Sequence, residues 1–207
     1  MSKKDERLIR LIKKAQDQYA EQHLVFAIPG FMSKKFIAYC AMREDLNLIL
    51  RYIDLLRTKP DNDIESALSY SLISLYGKCF TDASKNSFPK LETSIFTGRE
   101  DLIEIHNYLM DLRHQFIAHR GDTESEIGIA FMLMPKEEKG EKNQIRFSQV
   151  KQKSFSEEDL NKFEEHIKFI LALLMEKIEK SGQKLYDGYF NIFSPKDIVN
   201  MLINTAK

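Results

Sequence analysis

The sequence predicts a mainly α-helical fold: a helical bundle with an appended β-hairpin. Apolar residues recur at spacings of three and four through most of the chain, which is the period of a helix with one buried face. Only residues 126 to 151 change period: Glu126 to Met134 looks like a strand, and Gln144 to Val150 alternates polar and apolar. Hydrophobic residues make up 43% and charged residues 30%, enough for a packed core and wrong for a disordered chain. The 207 residues suit a single domain over 1–207.

Each element has a local cause. Residues 3 to 27 read as an N-terminal amphipathic helix, with Leu8, Leu11, Ile12, Ala15 and Tyr19 at helical spacing and Pro29-Gly30 as its stop. Ser33 is placed to cap a second helix running to about Arg57. Lys59 to Asn62 form a turn, and a third helix covers about 63 to 78, with Leu68, Leu72 and Leu75 on its apolar face. The stretch from Cys79 to Phe96 is long for a connection, and loops of that length usually cover or bind something. A short turn is expected near Leu91. Thr97 with Glu100 three residues on matches a capping box for a fourth helix, through Leu102, Ile105, Leu109 and Leu112 to about Ala118, ended by Gly121.

Glu126 to Met134 and Gln144 to Val150 then read as two strands, the second half-exposed, joined by the charged loop 135–143: a β-hairpin over 126–151. Ser156 followed by Glu157, Glu158 and Asp159 opens a fifth helix, since acidic side chains suit the positive end of the helix dipole. Leu160, Phe163, Ile167, Ile170, Leu171 and Leu174 form its buried face, and Ser181-Gly182 closes it. Ser194-Pro195 starts a short C-terminal helix, 195–204, with proline at the first helical position.

Composition narrows the function classes. Lys plus Arg is 31 and Asp plus Glu is 31, so a broad basic nucleic-acid surface is not expected, although a local basic cleft is compatible with zero net charge. Cys40 and Cys79 lie in apolar helical patterns and read as two buried thiols. The charged N-terminus is not a signal peptide, and no run approaches the roughly 18 apolar residues of a membrane span, so a cytoplasmic location is expected. No P-loop, GxGxxG, GxSxG or HExxH motif occurs.

One segment carries distinctive chemistry: Leu-Arg-His-Gln-Phe-Ile-Ala-His-Arg, residues 112 to 120. Arginine is a fixed cation whose planar fork grips phosphate oxygens. Histidine gives or takes a proton near neutral pH. Together they supply what RNA cleavage needs without a metal. A base deprotonates the 2′-hydroxyl, which attacks the adjacent phosphate while a cation stabilises the charge gathering there. DNA lacks that hydroxyl and resists. On an ideal helix Arg113 and His119 stand about 120° apart and about 9 Å along the axis, so they share a face only if the helix end loosens. Read purely structurally, His119-Arg120-Gly121 is a cationic helix terminus.

The string LRHQFIAHRGD resembles the signature of the HEPN superfamily (higher eukaryote and prokaryote nucleotide-binding domain): Arg, commonly a polar residue, and a few residues on His. Arg113 takes the first place, His114 the polar place and His119 the last. The family often has Asn or Asp where His114 stands. The helical layout over about residues 30 to 180 is loosely similar too, and the hairpin with its long following helix resembles members related to abortive-infection proteins. The resemblance implies a homodimer with both motifs facing a shared cleft, and a metal-independent ribonuclease of toxin–antitoxin or antiphage systems, restrained by an antitoxin partner. By it Arg113 and His119 are catalytic and His114 supporting. The alternative is a non-catalytic helical dimer that binds a nucleotide, RNA or a partner protein.

No cofactor is expected. His106, His114 and His119 share a segment, but their spacings do not give the i, i+4 pairing of helical metal ligands, so no metal is expected either. His23 and His166 read as surface or boundary residues. Tyr70, Tyr76 and Lys78 could line a nucleotide cleft by stacking and phosphate contact, but aromatic residues at helical spacing read first as core.

Overall fold

The computed structural model describes residues 2–23, 25, 27–28, 30–82, 88–117, 126–134, 144–151, 154–192, 194 and 196–197. It is mainly helical with one two-stranded antiparallel hairpin, the predicted fold class. The chain divides into two compact units: residues 1–38 with 177–207, and residues 39–176.

The first unit opens with helix α1, Lys3–Tyr19. Ser2 and Asp5 exchange backbone N–H bonds in a capping box at 3.2 and 3.0 Å. The helix stops well short of residue 27. The chain turns through residues 20–23 directly after Tyr19, where His23 N–H donates to Tyr19 O at 2.9 Å. Helix α2, Gly30–Arg57, starts earlier than predicted. Ser33 therefore lies inside it and is buried rather than capping it.

Helix α5 runs over Glu157–Ile192, beginning as predicted: Asp159 N–H donates to Ser156 Oγ at 3.1 Å and Ser156 N–H to the Asp159 carboxylate at 3.2 Å. It does not stop at Gly182. That glycine is interior to the helix and faces the Phe36 ring, where a Cβ would stand 3.2 Å from Cε2. Its role is close approach, not termination. Ser194 and Asp197 form the reciprocal bonds expected at the next helix start; residues 198–204 of that predicted helix lie outside the described residues.

The second unit holds the core. Leu46, Ile49 and Ile53 of α2 are fully buried. So are Leu72, Ile73 and Tyr76 of helix α3, Asn62–Phe80. Helix α4, Glu100–Asp111, adds Leu109, and the first half of α5 adds Phe163, Ile167, Ile170 and Leu174. α3 is capped by Asp61, whose carboxylate accepts from the N–H groups of Asp63 and Ile64, both at 3.1 Å.

The long connection between α3 and α4 does cover something. Leu91 and Phe96 are buried, and Leu91 N–H donates to Cys79 O at 2.9 Å, tying the connection to the end of α3. The helical turn in it is a 3-10 turn at Thr93–Phe96, slightly beyond Leu91. The capping box predicted at Thr97 does not form. Thr97 Oγ1 donates to Ser94 O at 2.8 Å, closing the 3-10 turn, and Gly98 at φ +80° turns the chain before α4. Arg99 occupies the N-cap position, with its guanidinium on Asp101 at 2.7 and 3.0 Å.

Strands β1, Glu126–Leu133, and β2, Gln144–Lys151, pair from Glu126↔Lys151 to Leu133↔Gln144, matching the hairpin bounds read from the sequence. The half-exposed reading of β2 does not hold, because residues 127–133 and 144–150 are all exposed.

Candidate functional site

The fourth helix, expected to reach about Ala118, runs as α4 to Asp111 and continues as a π-helical turn over Leu112–Ile117. A π turn widens the backbone ring from i→i+4 to i→i+5 and is frequent at functional sites. Here it sorts three successive side chains. Leu112 is buried, Arg113 half-buried and His114 exposed.

Arg113 lies against α3. Its aliphatic stem passes directly over Gly77, so that a Cβ there would overlap Arg113 Cδ and Nε and stand 3.0 Å from Cγ. Gly77 is the only residue type that gives the stem this path. Glycine in a helix interior costs roughly 1 kcal/mol relative to alanine, and the stem covers the backbone that glycine leaves bare. Sequence reasoning passed over Gly77, although an isolated glycine inside a helical pattern is itself a sign of close packing.

Beneath this contact is a buried polar network. Tyr76, beside Gly77, places its hydroxyl 2.7 Å from His106 Nδ1 and 2.8 Å from His166 Nε2. The three rings come from α3, α4 and α5, and the two histidines are 5% and 0% exposed. Phe96 stacks on His166 at 4.9 Å between centroids, and Phe80 meets His106 edge-on at 4.5 Å. The connection carrying Phe96 thus seals the histidine pair from above.

A tyrosine hydroxyl has one proton, so it donates to one imidazole and accepts N–H from the other. His166 Nδ1 has no hydrogen-bond partner among the described residues. Donation from Tyr76 to His106, with His166 Nε2–H donating to Tyr76, leaves a bare lone pair at that nitrogen rather than a stranded N–H, the lesser penalty. Burial holds His166 at about 4, helped by the neighbouring His106, and burial also lowers His106. Both rings are neutral at physiological pH. Burial raises Tyr76 well above the ordinary phenol range, and Cys79 is pushed up to about 12 by burial and then by the Asp45 carboxylate.

The histidine assignments therefore change. His166 is core, not surface or boundary. Its place beside Phe163, Ile167 and Ile170 on the α5 apolar face was visible in the spacing, as was that of His106 between Leu102 and Leu109. Tyr76 belongs to the core, while Lys78 is exposed and paired with Asp45 at 2.7 Å. Cys40 is half-buried rather than buried. Among the described residues no group of three or more His, Cys, Asp or Glu side chains could hold a metal ion, and no helix is long and apolar enough to cross a membrane.

Of the three predicted site residues, Arg113 and His114 follow one another on the π turn, and His119 lies outside the described residues, as do Ala118 and residues 120–125. Comparison with known proteins finds no matching family model, curated protein or solved structure.

Proposed function

We propose that the protein is a metal-independent endoribonuclease of HEPN type, in which Arg113 holds and stabilises the scissile phosphate, His119 serves as acid or base, and His114 orients or assists. The observation that carries this reading is the π turn at Leu112–Ile117, a backbone form frequent at functional sites, which holds Arg113 and His114. Arg113 adds a second support. Its stem is held on Gly77 and its side chain is half-buried, so the cation is oriented before any phosphate arrives. Preorganised charge stabilises a transition state more than a freely rotating one does.

The test is cleavage of single-stranded RNA by the purified full chain in EDTA. The wild type is expected to cut RNA and to spare DNA of the same sequence. Arg113→Ala and His119→Ala are each expected to lose at least about 100-fold in rate, with unchanged circular dichroism. Equal cutting by the double variant ends the proposal. RNA retained without cleavage assigns the chain to the binding-module reading. A toxin–antitoxin or antiphage setting follows if expression arrests growth and His119→Ala relieves the arrest.

A further inference from the structure

Helix α1 carries its apolar side chains in solvent. Leu8 is 55% exposed, Leu11 64% and Tyr19 50%, whereas Leu72 and Ile73 of α3 and Ile167 and Ile170 of α5 close on the core. On an ideal helix Leu8, Leu11, Ile12, Ala15 and Tyr19 share about 100° of arc, and from Arg7 to Tyr19 no charged residue falls within it. The helix holds six cations against three acids, in a chain of zero net charge. Their placement is ordered. Arg7 and Lys14 stand on the Leu11 side of the row and Lys13 on the side of Ile9, which is itself exposed. Glu6 and Asp17 stand about 170° from its centre. The third acid, Asp5, accepts from Ser2 N–H in the capping box. Among the described residues Arg7, Arg10, Lys13 and Lys14 enter no ion pair, while Lys162 and Lys168 of α5 each pair with a glutamate four residues earlier.

We propose that α1 lies on an anionic lipid surface, with its apolar row at the acyl boundary and its cations among the headgroup phosphates and carboxylates. A helix that binds in the plane of the interface combines an apolar stripe, a polar face rich in Lys and Arg, and modest overall hydrophobicity; α1 has all three. Charge complementarity selects the occupant. The cations flank the row, where long side chains reach headgroups on either side, and Glu6 and Asp17 face away. Tyr19 ends the row with a ring that is apolar in its body and polar at its tip, a side chain suited to a membrane boundary. Nucleic acid would engage the cations and leave the row in water. A second α1 would set cations against cations. Lying on a surface does not require crossing it, and no described helix is long and apolar enough to cross. The proposal is independent of the ribonuclease reading, because vesicle binding and RNA cleavage are measured separately.

Flotation of the full chain with vesicles tests it, using phosphatidylcholine alone and phosphatidylcholine with phosphatidylserine. The wild type is expected to float with the serine lipid, to bind phosphatidylcholine alone at least about 30-fold more weakly, and to detach as salt rises. Leu11→Gln is expected to weaken binding at least about 10-fold. Arg7→Gln with Lys14→Gln is expected to weaken it about 30-fold, roughly 5-fold for each cation. These side chains are exposed, so helical circular dichroism and thermal melting are expected to stay unchanged. Asp17→Asn, on the far side, is expected to bind like the wild type. Equal binding to both vesicles overturns the proposal, as does equal binding by Leu11→Gln and by the double variant. A wild type that floats with neither vesicle overturns it in favour of an acidic protein groove. A wild type that ignores vesicles but binds RNA through Arg7 and Lys14 overturns it in favour of nucleic acid.

Discussion

The Arg113 side chain crosses α3 at Gly77, where a Cβ would overlap its stem. The contact joins the segment with distinctive chemistry to the helix that supplies the buried tyrosine, and it makes the position of a cation depend on the absence of a methyl group.

Gly77→Ala is accordingly expected to displace Arg113 or the π turn. Helix propensity alone would favour alanine by roughly 1 kcal/mol. Overlap with Cδ and Nε opposes that gain, because the Arg113 stem must move aside to admit the methyl group. In an Arg113→Ala background the obstruction is gone and the same change becomes neutral or stabilising. A double-mutant cycle of urea unfolding measures the coupling. Additive effects would show that the stem does not lie where described.

Tyr76→Phe removes the hydroxyl that serves two buried imidazoles. His106 Nδ1 and His166 Nε2 are then both unpaired in the core. With roughly 1–3 kcal/mol for each of the two stranded groups, a loss of about 2–6 kcal/mol is expected in chemical denaturation. A loss below about 0.5 kcal/mol would deny the network a part in stability.

The two neutral histidines set a pH dependence. Burial lowers both in the folded chain, His166 to about 4. The unfolded chain takes up protons as pH falls through about 6.5, while the folded chain does not. The stabilisation is therefore complete above about pH 6.5 and is lost as pH falls toward 4. For His166 the loss amounts to about 3 kcal/mol. Melting temperature measured between pH 7.5 and 4.5 is expected to fall steadily, and His166→Gln to flatten the slope. A flat wild-type profile would mean that neither ring is neutral and buried.

Arg57 ends α2 by clasping the start of α5: it donates to Glu157 at 3.0 Å and Asn161 at 2.6 Å, and pairs with Glu164 at 2.7 Å. Lysine keeps the charge and loses the fork. Arg57→Lys is expected to cost about 1 kcal/mol at low salt and less in 1 M NaCl, since the site is partly exposed. Thermal melts at the two salt concentrations read this directly, and equal losses would deny it an electrostatic origin.

Much of this architecture is legible from short-range pattern. The hairpin bounds at Glu126–Leu133 and Gln144–Lys151 coincide with the sequence reading, because a two-residue period is a local property of a strand. The Ser156 start of α5 was readable for the same reason: its capping partners lie within one turn. Gly182 and Thr97 misled, because their roles depend on the Phe36 ring and on the 3-10 turn at Thr93–Phe96.

The chain's own order of residues determined a mainly helical protein with one hairpin, since period, caps and turns act over a few neighbours. It also put Arg113, His114 and His119 into one short segment. Only the tertiary structure decided that Gly77 receives the Arg113 stem and that Tyr76 joins His106 to His166. Those contacts join residues 30 to 90 positions apart, a separation at which helical period sets which face a side chain occupies but not which side chain it meets.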